Sequence, residues 1–326
     1  MANRLSRTIL PWAAAAMVAA GPLLVTDRFL LKVFTFVGLN ALVVVGMSLL
    51  FGYAGQVSLG HAGFVGLGAY TAAFLTAKLD VAWPLAFVAA GAVAAVGGLL
   101  LAMPSLRLKG HYLAMATLGF GELMTLAFVE ATPITGGING FTGVPFPSVG
   151  SFEFREPSQL YWLVWGCVGV ALLLASNLTS LRPGRAMRAI HGSELGAMAS
   201  GVDIVGVKVR VFVVSAALAG LSGALYAGVV GFISPSVFTV TASVTFLAMA
   251  VIGGSGSLAG PLAATAILTL IQYMDALVPG LPRQTAQTLQ EYQADIYGLA
   301  IIIVVLFAPM GIAGLFRRNR PAGEKP

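Results

Sequence analysis

Three histidines, one cysteine and 12 acids are the side chains of this 326-residue chain suited to proton transfer, nucleophilic attack or metal binding. His61, His111 and His191 stand far apart with no ligand spacing, and Cys167 lies inside an apolar run. Neither a metal site nor an intrachain disulfide is therefore expected. No Gly-Lys dipeptide followed by Ser or Thr occurs, which excludes nucleotide hydrolysis by the phosphate-loop route. His-Glu-x-x-His and Gly-x-Ser-x-Gly are absent too, so no enzymatic constellation is visible. What remains is hydrogen bonding in unusual places. The stretch F-G-Y-A-G-Q-V-S-L-G-H-A-G-F, residues 51–64, sets Gln56, Ser58 and His61 among Gly52, Gly55, Gly60 and Gly63.

The elements that must position these residues follow from composition. Hydrophobic residues make up 58% of the chain and charged ones 9%, against roughly 25% charged in a soluble domain. So little charge cannot cover a water-soluble globule, and so much apolar surface excludes a disordered chain. A polytopic membrane protein is left, with small residues (40 glycines) to let helices approach closely. Apolar runs at 9–25, 31–51, 61–77, 82–103, 113–130, 159–178, 211–230, about 238–252, 258–274 and 293–314 predict ten spans. Thr239, Thr241, Ser243 and Thr245 dilute the eighth. The first run could be read as a signal peptide, but the run beginning at 31 follows so soon that a retained span is expected. Alternating the loops from a cytoplasmic N-terminus puts 13 of the 18 Lys and Arg inside, which satisfies the positive-inside rule with both termini cytoplasmic. The same excess of bases accounts for the net charge of +6 without any nucleic-acid partner. The whole of 1–326 reads as one membrane domain, with an outer loop at 131–158 and a basic cytoplasmic tail at 315–326.

Within such spans the 51–64 stretch has two readings: a broken helix contributing to a permeation route, or a tight turn between spans 2 and 3. Glu122 is the tenth residue of the run 113–130. An acid at the bilayer centre costs at least about 2.5 kcal/mol, so it is expected to face the bundle interior. Asn40 sits similarly in the second span, and for either residue an interhelix hydrogen bond competes with substrate contact. Asn40, Gln56, Ser58, His61 and Glu122 are the candidate path residues. A second glycine-broken stretch, A-V-I-G-G-S-G-S-L-A-G-P at 250–261, reads as packing and turning, with Gly256 and Gly260 spaced as a small-residue pair.

The inner loop 179–210 carries Arg182, Arg185, Arg188, Lys208 and Arg210 and is too polar to span. Its apolar positions fit one or two short amphipathic helices below the membrane, and Gly192 and Gly196 argue against a single straight one. The small residues Ala197, Ala199 and Gly201 would let another protein surface come close; the competing reading is a solvated basic loop.

Four stretches in order resemble the permease subunits of branched-chain amino-acid ABC importers, most closely the LivM type. They are G-Y-A-G-Q-V-S-L-G-H-A-G-F, L-R-L-K-G-H-Y-L-A-M-A-T-L-G-F-G-E (106–122), G-G-I-N-G-F-T-G-V-P (136–145), and the inner loop running into F-V-V-S-A-A-L-A-G-L-S-G-A-L-Y-A (212–227). The resemblance implies an all-α, type II-like permease of about ten transmembrane helices with short or broken helices, in the bacterial inner membrane. It implies a second, LivH-like permease, two cytoplasmic ATPases that carry ATP and Mg, and a periplasmic amino-acid-binding protein. Residues 185–201, around Arg185, Arg188, Glu194, Ala197 and Gly201, would dock the ATPase. His191, Gly192 and Ser193 depart from the Arg-Glu-Asn usual in the family. Permeases for urea and short-chain amides belong to the same family, and a self-sufficient channel or ion-driven transporter is the reading from another class.

Overall fold

Apolar side chains gain nothing by turning away from lipid, so small residues in close contact must hold a membrane bundle together. The computed structural model describes residues 27–105 and 111–273, with the isolated positions 292, 298, 299 and 302. Helix α1 (Arg28–Met47) opens on Asp27, whose Oδ1 accepts the Phe29 N–H at 2.9 Å, and runs on into a wider π turn, Ser48–Tyr53. Then come α2 (His61–Lys78), α3 (Trp83–Ser105) and α4 (His111–Glu130). The connection after α4 holds a short helix α5 (Thr132–Thr135) and strands β1 (Phe141–Thr142), β2 (Ser148–Val149) and β3 (Phe152–Glu153). Helix α6 (Pro157–Ser180) starts on a proline, with the Gln159 side chain accepting the Glu156 N–H at 3.2 Å. The polar loop forms α7 (Arg182–Gly192) and α8 (Glu194–Ala199); α9 (Ile204–Val230), β4 (Phe232–Ile233), α10 (Val240–Gly253) and α11 (Ala259–Gln272) complete the fold.

Helix α9 is the hub, packing on α3, α2 and α1. Ala216, Ala219, Gly220, Gly223, Ala224 and Ala227 form its buried stripe. A methyl on Gly223 would collide with the Val65 carbonyl, and one on Gly220 with Ala94. The glycine-rich stretch 212–227 is thus a packing seam. Since α9 runs from α8 to β4, the structured connections cap opposite ends of the bundle. At the strand end, β1 pairs antiparallel with β4 and β2 with β3, fastening the outer loop to the turn after α9.

Among the described residues, six helical segments are long and apolar enough to cross a membrane: Arg28–Tyr53, Trp83–Met103, His111–Glu130, Pro157–Ser180, Ile204–Val230 and Pro235–Gly253. The threonine-diluted run 238–252 reaches that length only with the short turn Pro235–Val237 ahead of α10, whose α-helix is Val240–Gly253. Helix α2 falls short on apolarity, as its position explains: most of its residues are wrapped by protein and need no lipid-compatible surface. Helix α11, with 14 residues, falls short on length. The runs 9–25 and 293–314 and the tail 315–326 lie outside the described residues, apart from the isolated positions. The pairing expected of Gly256 and Gly260 is corrected: Gly260 is buried, but Gly256 has open space about it and φ +72, so it serves the turn.

Candidate functional site

The stretch 51–64 carries the end of the first helical segment, at Tyr53, through non-helical backbone into α2 at His61, and most of this connection is buried in protein. Past Met47 the turn widens: the Ala54 N–H reaches back five residues to the Leu49 carbonyl (3.2 Å), and the Gln56 N–H six to Leu50 (3.0 Å). Gly55 then takes φ +68, a conformation open to glycine without strain. Non-helical backbone continues to Gly60, where α2 begins. Three other elements satisfy its polar groups. The Leu59 N–H donates to Thr117 Oγ1 of α4 (2.9 Å), and the Ala62 N–H to Ser243 Oγ of α10 (3.0 Å). The Gly256 N–H, from the turn between α10 and α11, donates to the Gly52 carbonyl (3.1 Å). Buried non-helical backbone needs such partners, because its polar groups cannot turn to water. A π turn is often found at functional sites, and this one directly precedes the positive-φ Gly55.

His61 is wholly buried at the first position of α2. Its Nδ1 is hydrogen-bonded to Ser58 Oγ at 2.8 Å and its Nε2 to Ser215 Oγ of α9 at 2.7 Å, so one ring nitrogen donates and the other accepts. Phe64 and Phe212 stand edge-on to the ring. Both nitrogens are engaged, and His61 here is a tether between helices. Gln56 is also buried, yet among the described residues its Oε1 has no hydrogen-bond partner.

The other expected path residues do not join this group. Asn40 Nδ2 donates to Thr269 Oγ1 of α11 at 3.0 Å, the interhelix hydrogen bond that was one of its two readings. Glu122 is a correction: within this chain it is exposed on the outer face of α4 instead of turned into the bundle. The inner face of α4 is taken by Leu113, Thr117, Gly121 and Phe128, with Gly121 against Gly60. The next residue is turned off that face by about 100°. Tyr112, Met115, Leu123 and Leu126 are exposed alongside, so the carboxylate stands on an apolar surface.

At the opposite site of interest, α7 and α8 lie against the bundle as two helices broken at Ser193, whose Oγ accepts the Gly196 N–H (3.1 Å) to cap α8. Met187 and Ile190 are buried beneath α7. Arg188 Nη1 donates to the Thr179 carbonyl (2.9 Å) and so closes the end of α6; Arg185 is exposed. Glu194 pairs with Lys208 of α9 at 2.6 Å, with the lysine nearly buried. Ala197 is corrected: it faces the bundle, buried, and cannot be the small residue a partner approaches. Gly201, at φ +76, turns the chain toward α9 with open space around it. What sequence reasoning missed is the pair Leu195 and Met198, 77% and 61% exposed, displayed outward while Ala197 points in. Apolar residues three apart behind a serine cap were the available signal. The hydroxyl partners Thr117, Ser215 and Ser243 were missed as well, since a lone Ser or Thr in an apolar run carries no spacing to read. Among the described residues no group of three His, Cys, Asp or Glu could hold a metal.

A family model described as the permease component of the branched-chain amino acid transport system matches residues 29–306. The LivM high-affinity branched-chain amino acid permease protein of Salmonella typhimurium is 30% identical, over 92% of this chain and 72% of its own length. A probable LivM of Methanocaldococcus jannaschii is 23% identical over 70% of this chain and 67% of its own. The LivH permease protein of Escherichia coli is 25% identical over 91% of this chain and 97% of its own. No solved structure matches. The chain belongs to the branched-chain amino acid transport permease family.

Proposed function

We propose that this chain is one of two permease subunits of an ABC importer that carries branched-chain, hydrophobic amino acids across the bacterial inner membrane. It works without a nucleotide site of its own. Residues 1–326 act as a single permease domain with both termini in the cytoplasm, and a periplasmic binding protein delivers the substrate to the strand end. The observation that carries the reading is the outward pair Leu195 and Met198 on a helix fixed from behind by Ala197, Ser193 and the Glu194–Lys208 pair. An exposed apolar pair on a polar, membrane-flanking layer suits a soluble partner, and a cytoplasmic ATPase can push on the bundle there. Arg185 and Gly201 border the same surface.

The likeness to both LivM and LivH relatives supports pairing with a homologous permease, which would meet this one about a pseudo-twofold axis. The outer face of α4 fits that role, since Glu122 at mid-span needs cover by protein or water. The path would then run beside Glu122, with Asn40, Gln56, Ser58 and His61 shaping the helices that border it. Reconstitution tests this reading. With its partner permease, ATPases and binding protein in proteoliposomes, the chain should take up leucine only with ATP, and should not take up urea. ATP-independent accumulation by the chain alone would refute it.

A further inference from the structure

The docking layer and the break in the helix touch each other. A methyl built on Gly55 would come within 3.1 Å of His191 Nδ1 and 3.6 Å of His191 Cα, so the end of α7 rests on the turn that follows the widened helix. Helix α7 is pressed on the bundle through Met187 and Ile190, and cannot shift without carrying that contact. On the other side of the contact lies the π turn Ser48–Tyr53, the only one among the described residues. Such a turn holds one residue more than an α turn. Tightening it would advance all that follows by about one residue, roughly 100° of rotation and about 1.5 Å of rise. Gln56, three residues past the turn, is buried, and among the described residues its Oε1 has no hydrogen-bond partner, so a rotation there breaks no bond at that atom. The break is also tied to the rest of the bundle at two points. Gly256 holds the Gly52 carbonyl, and His61 holds Ser215. Motion at this place would reach both the α10–α11 turn and the hub helix α9.

We propose that Ser48–Gln56 is a two-state joint, set by α7 through the His191–Gly55 contact. Displacing α7 tightens the π turn and swings Gln56 out of its unpaired position. The source of the displacement rests on the reading of α7 and α8 as the ATPase dock; the joint itself does not.

Hydrogen exchange followed by mass spectrometry on the full chain in lipid nanodiscs tests it. His191→Ala should raise exchange across 48–60 at least tenfold while 212–227 stays protected. Gln56→Met, which removes the unpaired acceptor, should slow exchange across 48–56 several-fold. If His191→Ala loosens 182–199 alone and leaves 48–60 unchanged, or if Gln56→Met speeds exchange, the joint is overturned. In the complete complex, His191→Ala should retain the ATPase yet lower leucine uptake per ATP hydrolysed at least tenfold; unchanged coupling likewise overturns it. Should exchange respond as stated while the wild-type complex binds its ATPase elsewhere, the joint stands and the docking reading falls.

Discussion

His61 Nε2 lies 2.7 Å from Ser215 Oγ, a hydrogen bond across 154 residues of sequence that fastens the start of α2 to the hub helix α9. Together with the Ser58 contact it makes one imidazole the junction of the broken segment, α2 and α9. Replacing His61 with Leu strands two buried hydroxyls, at about 1–3 kcal/mol for each left unpaired. The thermal midpoint of the detergent-purified chain should drop accordingly. Adding Ser215→Ala to His61→Leu should recover part of the loss, because both partners are then apolar. A double variant no more stable than the single one would show that the bridge contributes nothing.

The packing seam predicts a sharp contrast between glycines. Gly223→Val drives a side chain into the Val65 carbonyl, so little monodisperse protein should be recovered by size-exclusion chromatography. Gly166→Ala on α6 meets nothing within 4 Å and should be tolerated. By helix propensity it should even gain up to about 1 kcal/mol. Equal yields from the two variants would contradict the seam.

These contrasts show what could be read from sequence and what could not. The bundle, the polar loop and the irregular backbone within 51–64 were legible because apolar run length, charge and glycine clustering are local properties. Gly192 and Gly196 likewise argued against a single straight helix in the loop, though not for the number of pieces or for the break at Ser193. The facing of individual residues was not. Glu122 was expected inside on the cost of a charge in lipid, but that cost requires only that something cover it, and a partner chain serves as well as the bundle. Ala197 was expected outside because it is small; it is inside for the same reason, since smallness suits close packing on the bundle. The His61–Ser215 pairing depends on tertiary placement, and nothing in either local sequence announces it.

Because Glu122 is exposed within the chain, Glu122→Leu should change the stability of the isolated subunit by no more than about 0.5 kcal/mol. In the complete transporter the same change should lower leucine uptake several-fold, with Glu122→Gln intermediate. Thermal melts and uptake measured side by side decide this. Wild-type uptake by Glu122→Leu would remove this face from the path.

The Glu194–Lys208 pair is partly exposed at the glutamate, so its coupling energy in a double-mutant cycle should stay below about 1 kcal/mol. Its effect should appear in position more than in stability. Glu194→Gln should weaken ATPase retention, and the reversal Glu194→Lys with Lys208→Glu should restore some of it. Retention by Glu194→Gln equal to wild type would mean that the pair does not set the surface.

The central claim, that a separate ATPase works this permease through α7 and α8, is tested most directly by co-purification of the ATPase with the affinity-tagged full chain. Truncating a residue that acts as an interface hot spot costs at least about 2 kcal/mol, roughly thirtyfold in affinity. Wild type should therefore retain the ATPase, and Leu195→Asp with Met198→Asp should lose it while eluting as the same folded species. Equal recovery of ATPase with both proteins would contradict the account.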